Sequence, residues 1–208
     1  MSAGTLLVAT RSADKLREIR EIAAAEGLAP ELRSLDDTGV PPSPDEDGLE
    51  RFATFAENAF AKARYFASAT GMLTLADDSG LCVDALGGAP GVYSKRYSGR
   101  ADLSGPELDR ANTARLLQAL ESVPDAERGA HYVCAVALVE PTGRARLFEG
   151  RCDGSILRAP RGDGGFGYDP VFRVAGGELT FGELPAEEKN RQSHRARAVR
   201  QALAALRG

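Results

Sequence analysis

Lysine is scarce in this 208-residue chain. Lys and Arg together number 26, but only Lys15, Lys62, Lys95 and Lys189 are lysines, which leaves 22 arginines. Where arginine serves as the generic cation, the retained lysines are candidates for positions that need a compact ammonium, because the two side chains are not interchangeable. Cysteine is equally sparse. Cys82, Cys134 and Cys152 are odd in number, form no CxxC pair and have no partnered histidines, which excludes a disulfide framework and a zinc site and fits buried thiols in a reducing compartment. No apolar run reaches the length of a membrane span. The opening MSAGTLLVATRSADK has neither the basic start nor the long apolar stretch of a secretory leader, so the expected location is cytoplasmic. A net charge of −4 argues against a nucleic-acid binder but allows an anionic small substrate where cations are gathered locally. With 43% hydrophobic and 27% charged residues, the expectation is one domain, 1–208, with a real core.

The pattern alternates strands and helices. GTLLVAT (4–10) reads as a buried strand, followed by a helix from about Ala13 to Glu26 with Leu16, Ile19, Ile22 and Ala23 on one face and Gly27 as its stop. A second strand is expected near Glu31–Leu35. Residues 36–48, acidic and proline-rich, read as irregular. A long helix should run to about Ala69 with Phe52, Phe55, Ala59, Phe60, Ala63, Phe66 and Ala67 on its apolar face. MLTLA reads as a strand ending in a DDSG turn. A shaped glycine loop, ALGGAPGVYS, comes next, then a helix from Ser104 to Val123 with Ser104 as its cap. HYVCAVALVE and RARLFEGRCDG pair as a hairpin through PTGR, RGDGGFGYDP forms a second glycine-rich loop, and Pro185 to Leu206 reads as one charged helix. The class is α/β with a mixed sheet.

Four stretches carry chemistry. Asp77 and Asp78 in ADDSG place two carboxylates at a strand end, where they suit Mg²⁺ or a base acting on water, or form a solvated turn. Thr10, Ser12 and Lys15 lie at a strand-to-helix junction, which favours phosphate or simply caps the helix. No GxxxxGK[ST] occurs, so this is not a Walker A loop. Phe166 and Tyr168, set between glycines and followed by Asp169, offer an aromatic platform for a flat base, or core aromatics in a turn. Lys189, Ser193, His194 and Arg195 read as donors for carbonyl oxygens, or as a solvated basic helix face. Taken together they describe a nucleoside triphosphate site.

ADDSGLCVDALGGAPGVYSKRYSG, GGFGYDPVF and EEKNRQSHR, occurring together in that order, resemble the Ham1/inosine triphosphatase family, the non-canonical purine NTP pyrophosphatases. The similarity runs from VATRSADK to SHRARAV. It implies an elongated two-lobed mixed β-sheet with flanking helices and the site between the lobes. It also implies cleavage of ITP, dITP and XTP to the monophosphate and pyrophosphate, a Mg²⁺ cofactor and a homodimer. By the same resemblance Asp78 is the catalytic residue and a metal ligand, with Asp77 beside it and Ser79 on substrate. Thr10, Arg11, Ser12, Ala13, Asp14, Lys15 and Lys62 hold phosphate. Phe166, Gly167, Tyr168, Asp169, Lys189, His194 and Arg195 bind nucleotide. The family's metal-binding glutamate maps to Glu46, with Asp45, Asp47 and Glu50 in competition. Its first motif, T-x-N-x-x-K, is altered here: Ser12 replaces the asparagine and Asp14 precedes Lys15. A Maf-type pyrophosphatase is the nearest alternative, opposed by SHR and FGYDP. An inactive nucleotide-binding protein is the alternative of another class.

Overall fold

The computed structural model describes residues 4–27 and 30–206. Six strands, β1 (Thr5–Val8), β2 (Glu31–Ser34), β3 (Thr74–Val83), β4 (Gly129–Val139), β5 (Ala145–Ile156) and β6 (Phe172–Val174), form one sheet in the order β2-β1-β3-β4-β5-β6. β1 runs parallel to β2 and β3, whereas β5 and β6 are antiparallel. The sheet is therefore mixed, as expected. Among the described residues five α-helices accompany it: α1 (Ala13–Ala25), α2 (Phe55–Thr70), α3 (Gly105–Ala119), α4 (Ala186–Gln192) and α5 (His194–Ala204). None is long and apolar enough among the described residues to cross a membrane. The chain divides into two compact units, one of residues 1–78, 134–150 and 194–208, the other of 79–133 and 151–193.

Strand alternation builds the first unit. Leu6, Val8, Leu75, Cys134, Val136 and Leu138 pack with Ile19 and Ile22 of α1 and with Ala198, Val199 and Leu203 of α5. The residues between them, Leu7, Ala9, Ala76, Ala135, Ala137 and Val139, pack with Ala59, Ala63, Phe66 and Ala67 of α2. Each fully buried Leu, Ile, Val or Phe contributes about 1.5–3 kcal/mol. The alanines on α2 keep that helix close to the sheet. In the second unit Leu81, Val83, Leu116, Leu120, Tyr132, Phe172 and Phe181 make a separate core.

Several boundaries differ from the sequence reading. DDSG is not a turn: β3 continues through it to Val83, and Asp77 and Asp78 sit in mid-strand. Residues 36–48 are not wholly irregular, because Ser43 and Glu46 form a capping box that starts a 3₁₀ helix over Pro44–Gly48. The long helix begins only at Phe55, where Thr54 and Glu57 form a second capping box. Phe52 therefore lies outside it and is 46% exposed. Ser104 precedes α3 in extended conformation but makes no side-chain cap bond. The C-terminal helix is two helices, broken at Ser193, whose backbone is extended (ψ 157°).

Candidate active site

Adjacent strand residues face opposite ways, and this separates the two aspartates. Asp77 follows the parity of Leu75 and faces α1 and α5. Its Oδ2 lies 3.1 Å from Lys15 Nζ and 3.3 Å from Arg195 Nε, and the Cys134 thiol approaches it at 4.0 Å. Burial alone would raise its pKa, but Lys15, Arg195 and Lys62 hold the carboxyl well below the usual range. Asp78 follows Ala76 and faces α2. Asn58 Nδ2 donates to its Oδ2 at 2.9 Å. Burial raises the Asp78 pKa; Lys62 and Lys15 oppose the shift, and Glu50 adds to it. One carboxylate is thus locked as an ion-pair partner. The other is a strengthened proton acceptor, with 8% of its surface open.

Lys62, one turn after Asn58 on α2, joins these groups. Its ammonium donates to the backbone carbonyl of Asp77 and to Glu50 Oε1, the latter at 2.6 Å. Burial would lower its pKa, but Glu50, Asp77 and Asp78 outweigh that effect and raise it. The N-terminal motif behaves first as a helix start. Thr10 Oγ1 accepts from the Ser12 N–H at 3.1 Å, and Ser12 Oγ caps α1 by accepting from Lys15 N at 3.3 Å. Ala13 is the exposed first residue of α1, and Asp14 pairs with Arg17 at 2.8 Å. Arg11 turns to Glu46, with Nη2–Oε1 at 2.8 Å and Nε–Oε2 at 3.1 Å, and to the carbonyl of Val40 at 3.0 Å.

That pairing engages Glu46, the acid to which the family's metal ligand maps. Glu46 is held by Arg11 and by the Ser43 N–H, whereas Glu50 is the acid of this loop that meets Lys62 and acts on Asp78. Asp77 carries two cations on one oxygen, the ammonium of Lys15 and the guanidinium of Arg195. Among the described residues no three His, Cys, Asp or Glu side chains gather to hold a metal ion. Mg²⁺ needs no such cage: one or two carboxylates suffice when substrate phosphates complete its shell. Asp78 and Glu50, which influence each other electrostatically, carry hard oxygens of that kind.

Arg195 and His194 open α5 and are buried, not a solvated basic face. Arg195 Nη1 donates to Glu18, itself buried on α1, and its guanidinium is raised above its ordinary pKa: burial would lower it, but Glu18 and Asp77 prevail. Gly150 permits this packing, since a Cβ there would stand 2.0 Å from the His194 carbonyl.

The second unit carries the aromatic loop. Gly165 (φ +72°) lets the chain fold over Asp169, whose Oδ2 accepts from the Phe166 N–H at 2.8 Å and from Lys189 Nζ at 2.6 Å. Lys189 lies 4.8 Å from the centre of the half-buried Phe166 ring. Gly167 N donates to Asp109 Oδ2 at 2.8 Å. Tyr168 does not form part of a platform: it is buried, its hydroxyl donates to the Ser94 carbonyl at 2.7 Å, and burial pushes its pKa up. Ser79 is half-buried in β3. Lys95, the remaining lysine, is exposed.

Asn58, Glu18 and the contact of Glu50 with Lys62 escaped the sequence reading. A polar residue on the apolar stripe of a helix was the available signal: Asn58 and Lys62 interrupt the alanine face of α2, and Glu18 interrupts that of α1.

The sequence model described as the Ham1 family matches residues 6–205. A dITP/XTP pyrophosphatase of Streptomyces avermitilis is 48% identical, over 97% of this chain and 96% of its own. One of Geobacter sulfurreducens is 52% identical, over 93% and 92%. Among solved structures, a HAM1 protein from Coxiella burnetii superposes with a TM-score of 0.83 at 37% identity, covering 98% of both chains. With this fold and these matches, the chain belongs to the Ham1 family.

Proposed function

We propose that the chain hydrolyses dITP, XTP and ITP between the α and β phosphates, releasing the nucleoside monophosphate and pyrophosphate. The observation that carries this reading is the division of labour in β3, where Asp77 is clamped by Lys15 and Arg195 while Asp78 stays basic beside Asn58, Lys62 and Glu50. The Streptomyces avermitilis and Geobacter sulfurreducens relatives are dITP/XTP pyrophosphatases, which supports it.

In this mechanism Asp78 takes a proton from the attacking water, and its raised pKa suits that task. Water oxygen bonds to phosphorus in line with the leaving pyrophosphate, and the anhydride P–O bond breaks. Lys15 and Lys62 supply positive charge to phosphate oxygens. Asp78 and Glu50 would hold Mg²⁺, which when bound neutralises phosphate charge. Thr10 through Lys15 present the start of α1 to phosphate; Ser12 has a shorter reach than the family's asparagine. Phe166, Gly167, Asp169, Lys189, His194 and Arg195 serve the purine, with Phe166 as the stacking surface, and Ser79 contacts the substrate. A homodimer and a cytoplasmic location accompany this reading by family resemblance. Pyrophosphate release from dITP, XTP, dATP and dGTP with Mg²⁺ tests it: dITP and XTP should exceed the standard purines in kcat/KM. Equal rates on all four, or release from none, contradict it.

A further inference from the structure

Asn58 is 1% exposed, and both ends of its amide have defined partners. Its Oδ1 accepts from the Phe52 N–H at 2.9 Å, and its Nδ2 donates to Asp78 Oδ2, also at 2.9 Å. The first bond fixes the amide's orientation, since only the oxygen can accept. The donor end must then face Asp78. One turn on, Lys62 grips the carbonyl of Asp77, so α2 holds two consecutive residues of β3. Phe52 lies two residues after Glu50, whose carboxylate meets Lys62. A single buried amide thereby connects the Asp78 carboxylate to the segment that supplies the second acid.

We propose that Asn58 is the positioning residue of Asp78: it occupies Oδ2, leaves Oδ1 for the reaction, and through Oδ2 ties the carboxylate to the Glu50 segment. The inference rests on the function proposed above for Asp78. Without the amide the carboxylate is free to turn about its terminal bond, whose rotation is broad, and a misplacement of about 1 Å costs on the order of 100-fold in rate.

Asn58→Asp separates this role from a merely structural one. It keeps an acceptor for the Phe52 N–H but sets an oxygen against Asp78. In the folded variant kcat for dITP should fall about 100-fold, with KM within roughly 3-fold of the parent, the mark of an interaction made in the transition state. A folded Asn58→Asp protein with parental kcat overturns the proposal. A second readout is independent of turnover and of that variant's folding: the side-chain amide signal of Asn58 by ¹H–¹⁵N NMR. One amide proton should be shifted downfield and slow to exchange in the parent, and should lose both properties in Asp78→Ala; an unchanged signal overturns the proposal. A parent chain that releases no pyrophosphate contradicts the function reading instead, and the amide signal still decides this one.

Discussion

Asp77 and Asp78 share a strand and a residue type, yet their surroundings drive their pKa values apart. Asp77 receives Lys15 and Arg195 on one oxygen. Removing one member of such a buried set costs about 3–5 kcal/mol, because the remaining charges lose their compensation. Asp77→Asn should therefore destabilise the fold by that order near pH 7, measured by urea unfolding. The sign of its pH dependence follows from the lowered pKa. A carboxyl depressed below 3.8 stabilises the fold above that value and loses the contribution as pH falls through its own folded pKa. The gap between parent and Asp77→Asn should be constant at neutral pH and shrink below about pH 4. A gap that widens in acid contradicts the clamp. Asp78, with its pKa raised, has the opposite sign: its contribution is present in acid and lost as pH rises through the folded value. The basic site thus costs stability at neutral pH, as active sites commonly do.

Among the elements, the helices explain what the sequence could and could not convey. α1 was legible because Ile19, Ile22 and Ala23 recur at helical spacing between Ser12 and Gly27. α2 was legible at its centre but not at its start: Phe52 continues the apolar pattern, whereas the capping box of Thr54 and Glu57 decides the boundary. The break at Ser193 was hidden because no proline or glycine marks it. Arg128 is a further element-level device. Buried without a carboxylate among its hydrogen-bond partners, it donates to the carbonyls of Leu120 at 2.6 Å, Ile156 at 2.8 Å and Leu157 at 3.0 Å. It fastens the end of α3 to the end of β5 and the start of β4. Arg128→Met keeps the length and removes the guanidinium donor from the Ile156 and Leu157 carbonyls, at about 1–3 kcal/mol for each acceptor left unmet, while the Leu120 carbonyl keeps the Val123 N–H at 3.0 Å. The melting temperature should drop by several degrees or more. An unchanged melting temperature contradicts the fastening role.

For the whole molecule, the alternation of strands and helices conveyed the α/β class, and three short stretches conveyed the family. The strand through DDSG was missed for a physical reason. Polar residues normally end a strand, and only long-range partners, Lys15 and Arg195 on one face and Asn58 on the other, make this one continue. The same long range hid Glu18, which lies 177 positions from Arg195. Three of the four lysines, Lys15, Lys62 and Lys189, proved to hold carboxylates at close range, consistent with places where a compact ammonium fits and a guanidinium would not. The central claim is that this arrangement makes Asp78 the general base of an α–β pyrophosphohydrolase. It is tested most directly by chromatography of the products of dITP with Mg²⁺, for the parent chain and for Asp78→Asn side by side. The account expects dIMP and pyrophosphate from the parent. It expects a loss of at least about 100-fold in kcat for the variant, of the order set by removing a general base, while nucleotide binding persists. Diphosphate and orthophosphate as first products, or a variant that turns over like the parent, would contradict it.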